Sequence, residues 1–202
     1  MKSNGESSMK QNRFAVATVL LLLPLAAFAQ QTWQIDPAHT NAEFSVRHMG
    51  ISTVRGSFTK TTGAVQYDPA DPAKTAIEAT IDVSSIDTRN ENRDKDLRSD
   101  HFFGVARYPT LTFKSKNTQL AGAGKLKVTG DLTIHGVTKE VVLNVDGLSS
   151  PVRDPRGKVH MGASASTVIN RSSFDMTGMQ AIVGDEITIN IDVEIVQPAQ
   201  QQ

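Results

Sequence analysis

The chain has 202 residues, is 39% hydrophobic, contains 21 basic and 21 acidic residues, and has no cysteine. Without cysteine it has neither disulfides nor thiolate metal sites. The balanced charge gives no electrostatic basis for binding nucleic acid or an acidic membrane surface. The length is typical of one domain that buries a substantial core.

The first predicted element is a secretory signal peptide over residues 1–29. Three basic residues precede an apolar run at 14–28, and Ala27-Phe28-Ala29 supplies small residues where signal peptidase reads them. Cleavage is therefore predicted before Gln30, with a bacterial periplasmic or secreted product. A retained anchor is the alternative, but about 15 apolar residues are fewer than the roughly 20 of a spanning helix. Because three basic residues and Glu6 leave with the leader, the mature chain has a net charge of about −2.

Strand-like segments recur along the mature chain. Every odd position of 187–195 is apolar and every even position is polar, and 77–83 repeats this pattern. Alternation with period two is typical of a strand with one face packed inside and the other in water. The predicted strands are 33–36, 42–48, 53–58, 63–67, 76–83, 110–116, 125–134, 138–146, 159–169 and 186–196. His135-Gly136 lies between two of them and predicts a tight hairpin in which Gly136 has a positive φ.

One segment departs from the strand pattern and predicts a short helix at about 90–99. Two acid–base pairs are spaced four residues apart, Glu91 with Lys95 and Asp94 with Arg98. In each pair the acid comes first, and this order supports a helix. A turn carrying Phe102 and Phe103 follows. Two interpretations remain open: a solvated helix that covers a barrel end, or a lid whose aromatic side chains touch a ligand.

These elements predict an all-β fold, an up-and-down barrel or a sandwich, over residues 30–197, with a flexible tail at 198–202. Closing the sheet removes exposed edges. An eight-stranded barrel is either filled by its own side chains or holds one small ligand. Many inward candidates are small or medium-sized and so leave room for a cavity: Ala79, Val83, Val128, Val141, Val145, Ala163 and Ala165.

The sequence has no obvious catalytic or metal-binding motif. It lacks the Gly-x-Ser-x-Gly and phosphate-loop patterns, and its five histidines form no pair at a familiar metal-site spacing. We therefore predict no catalytic residue and no metal, and we assign the histidines structural or surface roles. Arg171 ends a long strand and is predicted to point inward. It would then pair with an acid such as Asp94 or Asp100, or anchor an acidic or phenolic head group.

Five segments, in chain order, resemble the YceI family of bacterial periplasmic proteins, the polyisoprenoid-binding lipocalin-like group. They are Trp33-Gln34-Ile35-Asp36-Pro37-Ala38-His39-Thr40, Phe44-Ser45-Val46-Arg47-His48-Met49-Gly50, Val54-Arg55-Gly56-Ser57-Phe58, Arg93 to Phe103 with Tyr108-Pro109-Thr110-Leu111-Thr112-Phe113, and Gly130 to Lys139. The resemblance implies an antiparallel eight-stranded lipocalin-like barrel with one short helix at one end. It also implies an apolar tunnel for the tail of a polyprenyl lipid or quinone-like molecule. One departure is Asp175, where the family usually has glycine after Arg171-Ser172-Ser173-Phe174.

The predicted ligand site follows from this resemblance and from strand parity. The apolar wall candidates are Phe44, Val46, Phe58, Phe102, Phe103, Tyr108, Phe113, Leu126, Val128 and Leu132. His48 and Arg171 are the candidates for a polar mouth.

The expected function is a periplasmic protein that binds a polyisoprenoid or isoprenoid-quinone lipid for transport, storage or stress protection. That lipid is the only bound group expected. No cofactor, nucleic acid or membrane span after cleavage is predicted, and a homodimer is possible. Two alternatives remain: a filled barrel acting through its outer surface as an interaction or stress module, and an enzyme acting on a bound lipid. The enzyme would depend on His48, Asp94, Arg171 and Asp175.

Overall fold

The computed structural model describes residues 31–198, so the predicted signal peptide and the tail beyond Pro198 lie outside the described residues. The strands are β1 Gln31–Ile35, β2 Asn41–His48, β3 Ser52–Phe58, β4 Thr61–Tyr67, β5 Ala76–Asp82, β6 Ile86–Asp87, β7 Thr110–Leu120, β8 Lys125–Ile134, β9 Val137–Asp146, β10 Val152–Arg153, β11 Val159–Asn170 and β12 Val183–Val196. The helix α1 spans Glu91–Arg98, and 3₁₀ turns occupy Pro72–Lys74, Val83–Ser85 and Arg171–Phe174. Within this part of the chain no helix is both long and apolar enough to cross a membrane.

Among the described strands, three pairs of short strands each act as one barrel strand. β1 and β2 both run antiparallel to β12, with Ile35 opposite Ile195 and Ala42 opposite Ile191. β3 pairs with β2, and β4 pairs with β1. On their other edges, β3 pairs with β6 and β4 pairs with β5. Strands β7, β8, β9, β11 and β12 continue the meander, and β12 closes it against β1 and β2. This is a closed eight-stranded antiparallel barrel with one helix, which confirms the predicted fold class.

The alternation that predicted the strands also sets which side chains face the barrel interior. On β12 the odd-numbered side chains from 187 to 195 face inward and are buried or half-buried. The even-numbered Asn190 and Asp192 face outward and are exposed. The predicted strand at 76–83 ends one residue earlier, because Asp82 Oδ1 accepts hydrogen bonds from Ser84 N (2.9 Å) and Ser84 Oγ (2.6 Å). These bonds turn the chain into the 3₁₀ segment.

The predicted hairpin and helix are both present. His135 has φ 52° and Gly136 has φ 76°, the pair of positive values that a two-residue type I′ hairpin turn requires. The helix begins after Asn90, whose side chain accepts a hydrogen bond from Arg93 N at 3.0 Å and so caps the first turn.

Charged residues attach α1 to the end of the barrel. Buried Asp94 accepts hydrogen bonds from Thr88 N (2.9 Å) and Thr88 Oγ1 (2.5 Å). Arg98 donates to the carbonyls of Ser84 (2.9 Å) and Ile86 (2.6 Å). Asp94 and Arg98 thus bind the segment leading from β5 to α1 rather than each other. The helix is fixed as a cover on the barrel.

Apolar clusters lie towards the two ends of the barrel. Beneath α1, Phe58, Ile86, Phe102 and Phe174 pack with other buried side chains. At the opposite end, the buried cluster contains Trp33, Ile35, Val65, Tyr67, Met161 and Ile195. The space between these clusters is the barrel interior.

Gly63 on β4 permits a close approach between strands, and its replacement tests the packing of the barrel wall. Its φ is 154°, and a Cβ there would lie 2.2 Å from the Glu78 carbonyl oxygen and 2.9 Å from Ala79 Cα. Both atoms belong to the backbone of β5, so the clash cannot be relieved by a rotamer change. We expect Gly63→Ala to lower the free energy of unfolding by about 3 kcal/mol or more in urea titrations. Gly122→Ala is the control, because Gly122 has φ 121° but no atom within 4 Å of its added Cβ. An equal loss in both variants would contradict the steric explanation.

Candidate ligand-binding cavity

The middle of the barrel contains a cavity of about 170 Å³. The surface that the described residues present to this space is entirely apolar. Ala79, Ala163 and Ala165 are among its lining residues, so the small inward side chains do leave room, as predicted. Such a cavity suits an apolar ligand held by burial rather than by charge.

Threonine is the main polar residue type in the wall, and the hydroxyl groups of two of these threonines bond to the backbone. Thr75 Oγ1 donates to the Pro72 carbonyl at 2.6 Å, and Thr40 Oγ1 donates to the Glu194 carbonyl at 3.4 Å. Both side chains are buried and line the cavity. With their hydroxyl groups bonded to the backbone, these residues do not add polar surface to the cavity.

A second cavity of about 100 Å³ lies beneath the helix, and its surface is also apolar. Phe44, Phe58, Leu111, Ile134 and Ile189 border both spaces. The Phe44 and Phe58 ring centroids are 5.8 Å apart, and Phe58 meets Phe103 edge-on at 5.7 Å. The two cavities therefore adjoin at a cluster of phenylalanine rings.

The structure brings together most of the side chains predicted for the wall. Those bordering the barrel cavity are Phe44, Phe58, Phe113, Leu126 and Leu132, and those bordering the helix-side cavity are Val46, Phe102, Phe103 and Arg171, together with Phe44 and Phe58. Of the two interpretations left open for the helical segment, this placement favours a cover whose phenylalanines face an internal space. Ligand contact by these residues remains a prediction.

Three predicted site residues line neither cavity. Val128 has inward parity but is fully buried in a cluster with Phe113 and Leu143, whose side chains reach the cavity surface. Tyr108 instead packs against the β8–β9 turn, with its ring 4.5 Å from that of His135. His48 is the last residue of β2, half-buried where the turn to β3 begins. Parity gave the face of each strand but not the depth at which a side chain sits.

Arg171 has partners that the sequence did not predict. The side chain is 4% exposed and donates from Nη1 to the Met176 carbonyl (2.6 Å), from Nη2 to Val183 (2.9 Å) and from Nε to Gly184 (2.9 Å). Burial lowers the pKa of the guanidinium from its ordinary value, while nearby Asp185 acts in the opposite direction. The predicted pairing with Asp94 or Asp100 is wrong. Arg171 instead connects the loop after β11 to the start of β12 through these three hydrogen bonds.

The four residues considered for an enzymatic site remain separate. Within residues 31–198 no hydrogen bond or ion pair joins any two of His48, Asp94, Arg171 and Asp175. Asp175 is exposed and follows the 3₁₀ turn with φ 58° and ψ 17°, a left-handed conformation. Glycine adopts this conformation without strain and aspartate tolerates it, which explains why either residue fits there.

Sequence reasoning missed much of the wall contributed by β5 and β12. Ile77 and Ile81 on β5, and Ile189, Ile191 and Val193 on β12, all line the barrel cavity. Both strands had shown the clearest period-two pattern, so the signal was present. Extending that parity along each whole strand would have found these residues.

Comparisons with known proteins agree with the fold. The YceI-like domain model matches residues 33–195. A UPF0312 protein of Vibrio cholerae serotype O1 is 35% identical over 192 residues, covering 94% of this chain and 100% of the relative. Protein YceI of Salmonella arizonae is 33% identical over 191 residues, covering 94% and 99%.

Solved structures give the same result. BcnA of Burkholderia cenocepacia aligns with a TM-score of 0.72 at 27% identity, covering 79% of this chain and 98% of that one. The YCEI protein of Campylobacter jejuni aligns with a TM-score of 0.65 at 33% identity, covering 75% and 90%. A polyisoprenoid binding domain of Saccharophagus degradans shares the fold with a TM-score of 0.61 at 16% identity, covering 82% and 98%. From the family match and the curated relatives together, the chain belongs to the YceI-like family.

Proposed function

We propose that the protein binds a lipid with a polyisoprenoid tail, such as a polyprenyl lipid or an isoprenoid quinone, inside its barrel. The observation that carries this proposal is the apolar cavity in the middle of the barrel, adjoined by a second apolar space beneath α1. A ligand for such a surface needs a long, flexible, uncharged chain.

The dimensions and energetics support an extended tail. β8 has ten residues, and at about 3.3 Å per residue it is roughly 33 Å long. Burying on the order of 400 Å² of lipid would contribute about 10 kcal/mol before the costs of association. Binding of this strength needs no charged group in the cavity, in agreement with its apolar surface.

The ligand class also has support among proteins of this fold, since the Saccharophagus degradans domain is described as polyisoprenoid-binding. At 16% identity that likeness shows only a shared fold, so the cavity of this chain remains the main argument. An unfilled interior argues against the alternative of a filled barrel that acts only through its surface.

The setting we propose is the bacterial periplasm, reached through the signal peptide predicted at 1–29. There the protein would carry, store or protect its lipid, as a monomer or homodimer, with no cofactor and no catalytic activity of its own. The predicted net charge near −2 fits a protein that does not depend on anionic membranes for its recruitment.

The direct test is native mass spectrometry of the mature protein, purified from its own periplasm without detergent. We expect a discrete added mass that is released on denaturation and fragments as a polyprenyl chain. Protein without bound lipid is then titrated with a polyprenyl lipid and with an isoprenoid quinone. A bare protein mass and no uptake of either compound would contradict the proposal.

A further inference from the structure

A cluster of histidine and carboxylate side chains lies on the barrel where β1 ends, β11 begins and β12 finishes. Asp36, His160 and Glu194 can each offer one ligand atom, and those atoms all lie within 4.8 Å of one another. All three residues are half-buried. His39, from the turn between β1 and β2, adds a second imidazole, and Asp154 precedes β11.

Short distances connect this cluster. Nδ1 of His160 lies 2.7 Å from Glu194 Oε1, and Nδ1 of His39 lies 2.9 Å from Asp36 Oδ2. The same His39 nitrogen is 3.9 Å from Glu194 Oε1. Two imidazoles and two carboxylates therefore converge.

The barrel backbone fixes the positions from which these side chains extend. Asp36 N donates to the Glu194 carbonyl at 2.8 Å, and Gly162, two residues after His160, lies opposite Glu194 in the β11–β12 ladder. These segments meet where β12 closes the barrel against β1. These backbone pairings hold Asp36, His160 and Glu194 side by side at the seam.

The donor set and its spacing fit Zn²⁺. Zinc in proteins is usually tetrahedral with bonds of about 2.0–2.1 Å to imidazole nitrogen and carboxylate oxygen, which places neighbouring ligand atoms about 3.3 Å apart. The observed separations of 2.7, 2.9 and 3.9 Å lie on both sides of that value.

His160 has a further feature of a metal ligand. Its Nε2 atom is buried and has no hydrogen-bond partner within residues 31–198, although Asp154 Oδ2 lies 3.5 Å away. A histidine that binds zinc through one nitrogen usually directs the other to a carboxylate, which fixes the ring orientation. A small shift of Asp154 would supply that contact.

We propose that Asp36, His39, His160 and Glu194 bind a zinc ion, with Asp154 as the outer partner of His160. The ion links the β1–β2 turn, β11 and β12 at the seam of the barrel. This site is separate from the proposed lipid cavity, and its existence does not depend on lipid binding.

The test is calorimetric titration of the metal-free mature protein with Zn²⁺. We expect one ion per chain, a dissociation constant in the micromolar range or below, and a higher thermal midpoint with zinc present. The near-isosteric Glu194→Gln variant is expected to weaken zinc binding at least tenfold. His39→Gln is expected to do the same from a different segment, and its exposed side chain makes loss of folding a minor concern. Cobalt titration should give the visible absorption of a tetrahedral site.

A matched control is available in the turn after α1. His101 Nδ1 lies 3.3 Å from Asp96 Oδ1, an exposed pair of the same chemistry outside the proposed cluster. His101→Gln is therefore expected to leave zinc affinity unchanged. Absence of zinc binding, or equal binding by wild type and both cluster variants, would overturn the proposal.

Discussion

Replacing Ala165 with phenylalanine is expected to lower the affinity for a polyprenyl lipid at least tenfold while the barrel stays folded. Ala165 lies on β11 between Val145 of β9 and Ile191 of β12, and its side chain borders the barrel cavity. A phenyl ring there takes the space of about five methylenes of tail, each contributing roughly 0.8 kcal/mol on burial. If all five methylenes were displaced, the binding free energy would fall by about 4 kcal/mol. The expected tenfold loss of affinity is smaller, because the tail can bend around the ring.

Lipid titration followed by tryptophan fluorescence or native mass spectrometry measures this effect. Ser164→Phe is the matched control, since Ser164 is the preceding residue on β11, is exposed, and faces outward. We expect its lipid affinity to equal that of wild type. If Ala165→Phe bound lipid as tightly as Ser164→Phe while remaining folded, the barrel cavity would not be the binding site.

Removing the guanidinium of Arg171 is expected to give the second large effect, this time on stability. Arg171→Met keeps an unbranched apolar side chain but has no guanidinium. The carbonyls of Met176, Val183 and Gly184 therefore lose their donor. The contact with the Met176 carbonyl is buried and the other two are partly buried. Because a buried carbonyl left without a partner costs about 1–3 kcal/mol, and an exposed one less, we expect the free energy of unfolding to fall by about 3–5 kcal/mol. Urea denaturation of wild type and variant measures the difference.

Arg55→Met provides the comparison, because Arg55 is exposed on β3 and its change should stay within about 0.5 kcal/mol of wild type. The sequence had also allowed Arg171 to anchor a lipid head group. In that case Arg171→Met would weaken lipid binding with unfolding unchanged. Such a result would contradict the structural role described above.

Local patterns of sequence predicted the elements and the overall class of this fold. Strict alternation in 187–195 identified β12, and His135-Gly136 predicted a turn whose two positive φ values the structure confirms. The helix predicted at 90–99 is present at Glu91–Arg98. These features depend on neighbouring residues, and their physical causes act over a few positions.

The site was predictable only in part, because parity gives the face of a strand and neither its register nor its depth. Phe44, Phe58 and Phe113 do border the barrel cavity, whereas Val128 is buried behind other wall residues and Tyr108 packs against the β8–β9 turn. Which inward side chain reaches the cavity depends on its neighbours across the barrel.

The sequence by itself determined the strands, the tight hairpin and the short helix, because period-two patterning and turn residues are local properties. Patterning left a barrel or a sandwich open, and the family resemblance indicated the barrel. Only the tertiary structure decided the partners of Arg171 and the meeting of Asp36 with His160 and Glu194. Asp36, His160 and Glu194 are far apart in the chain and gave no motif. They become neighbours because β12 closes the barrel against β1 on one side and β11 on the other, and that closure is fixed by the packing of the whole sheet.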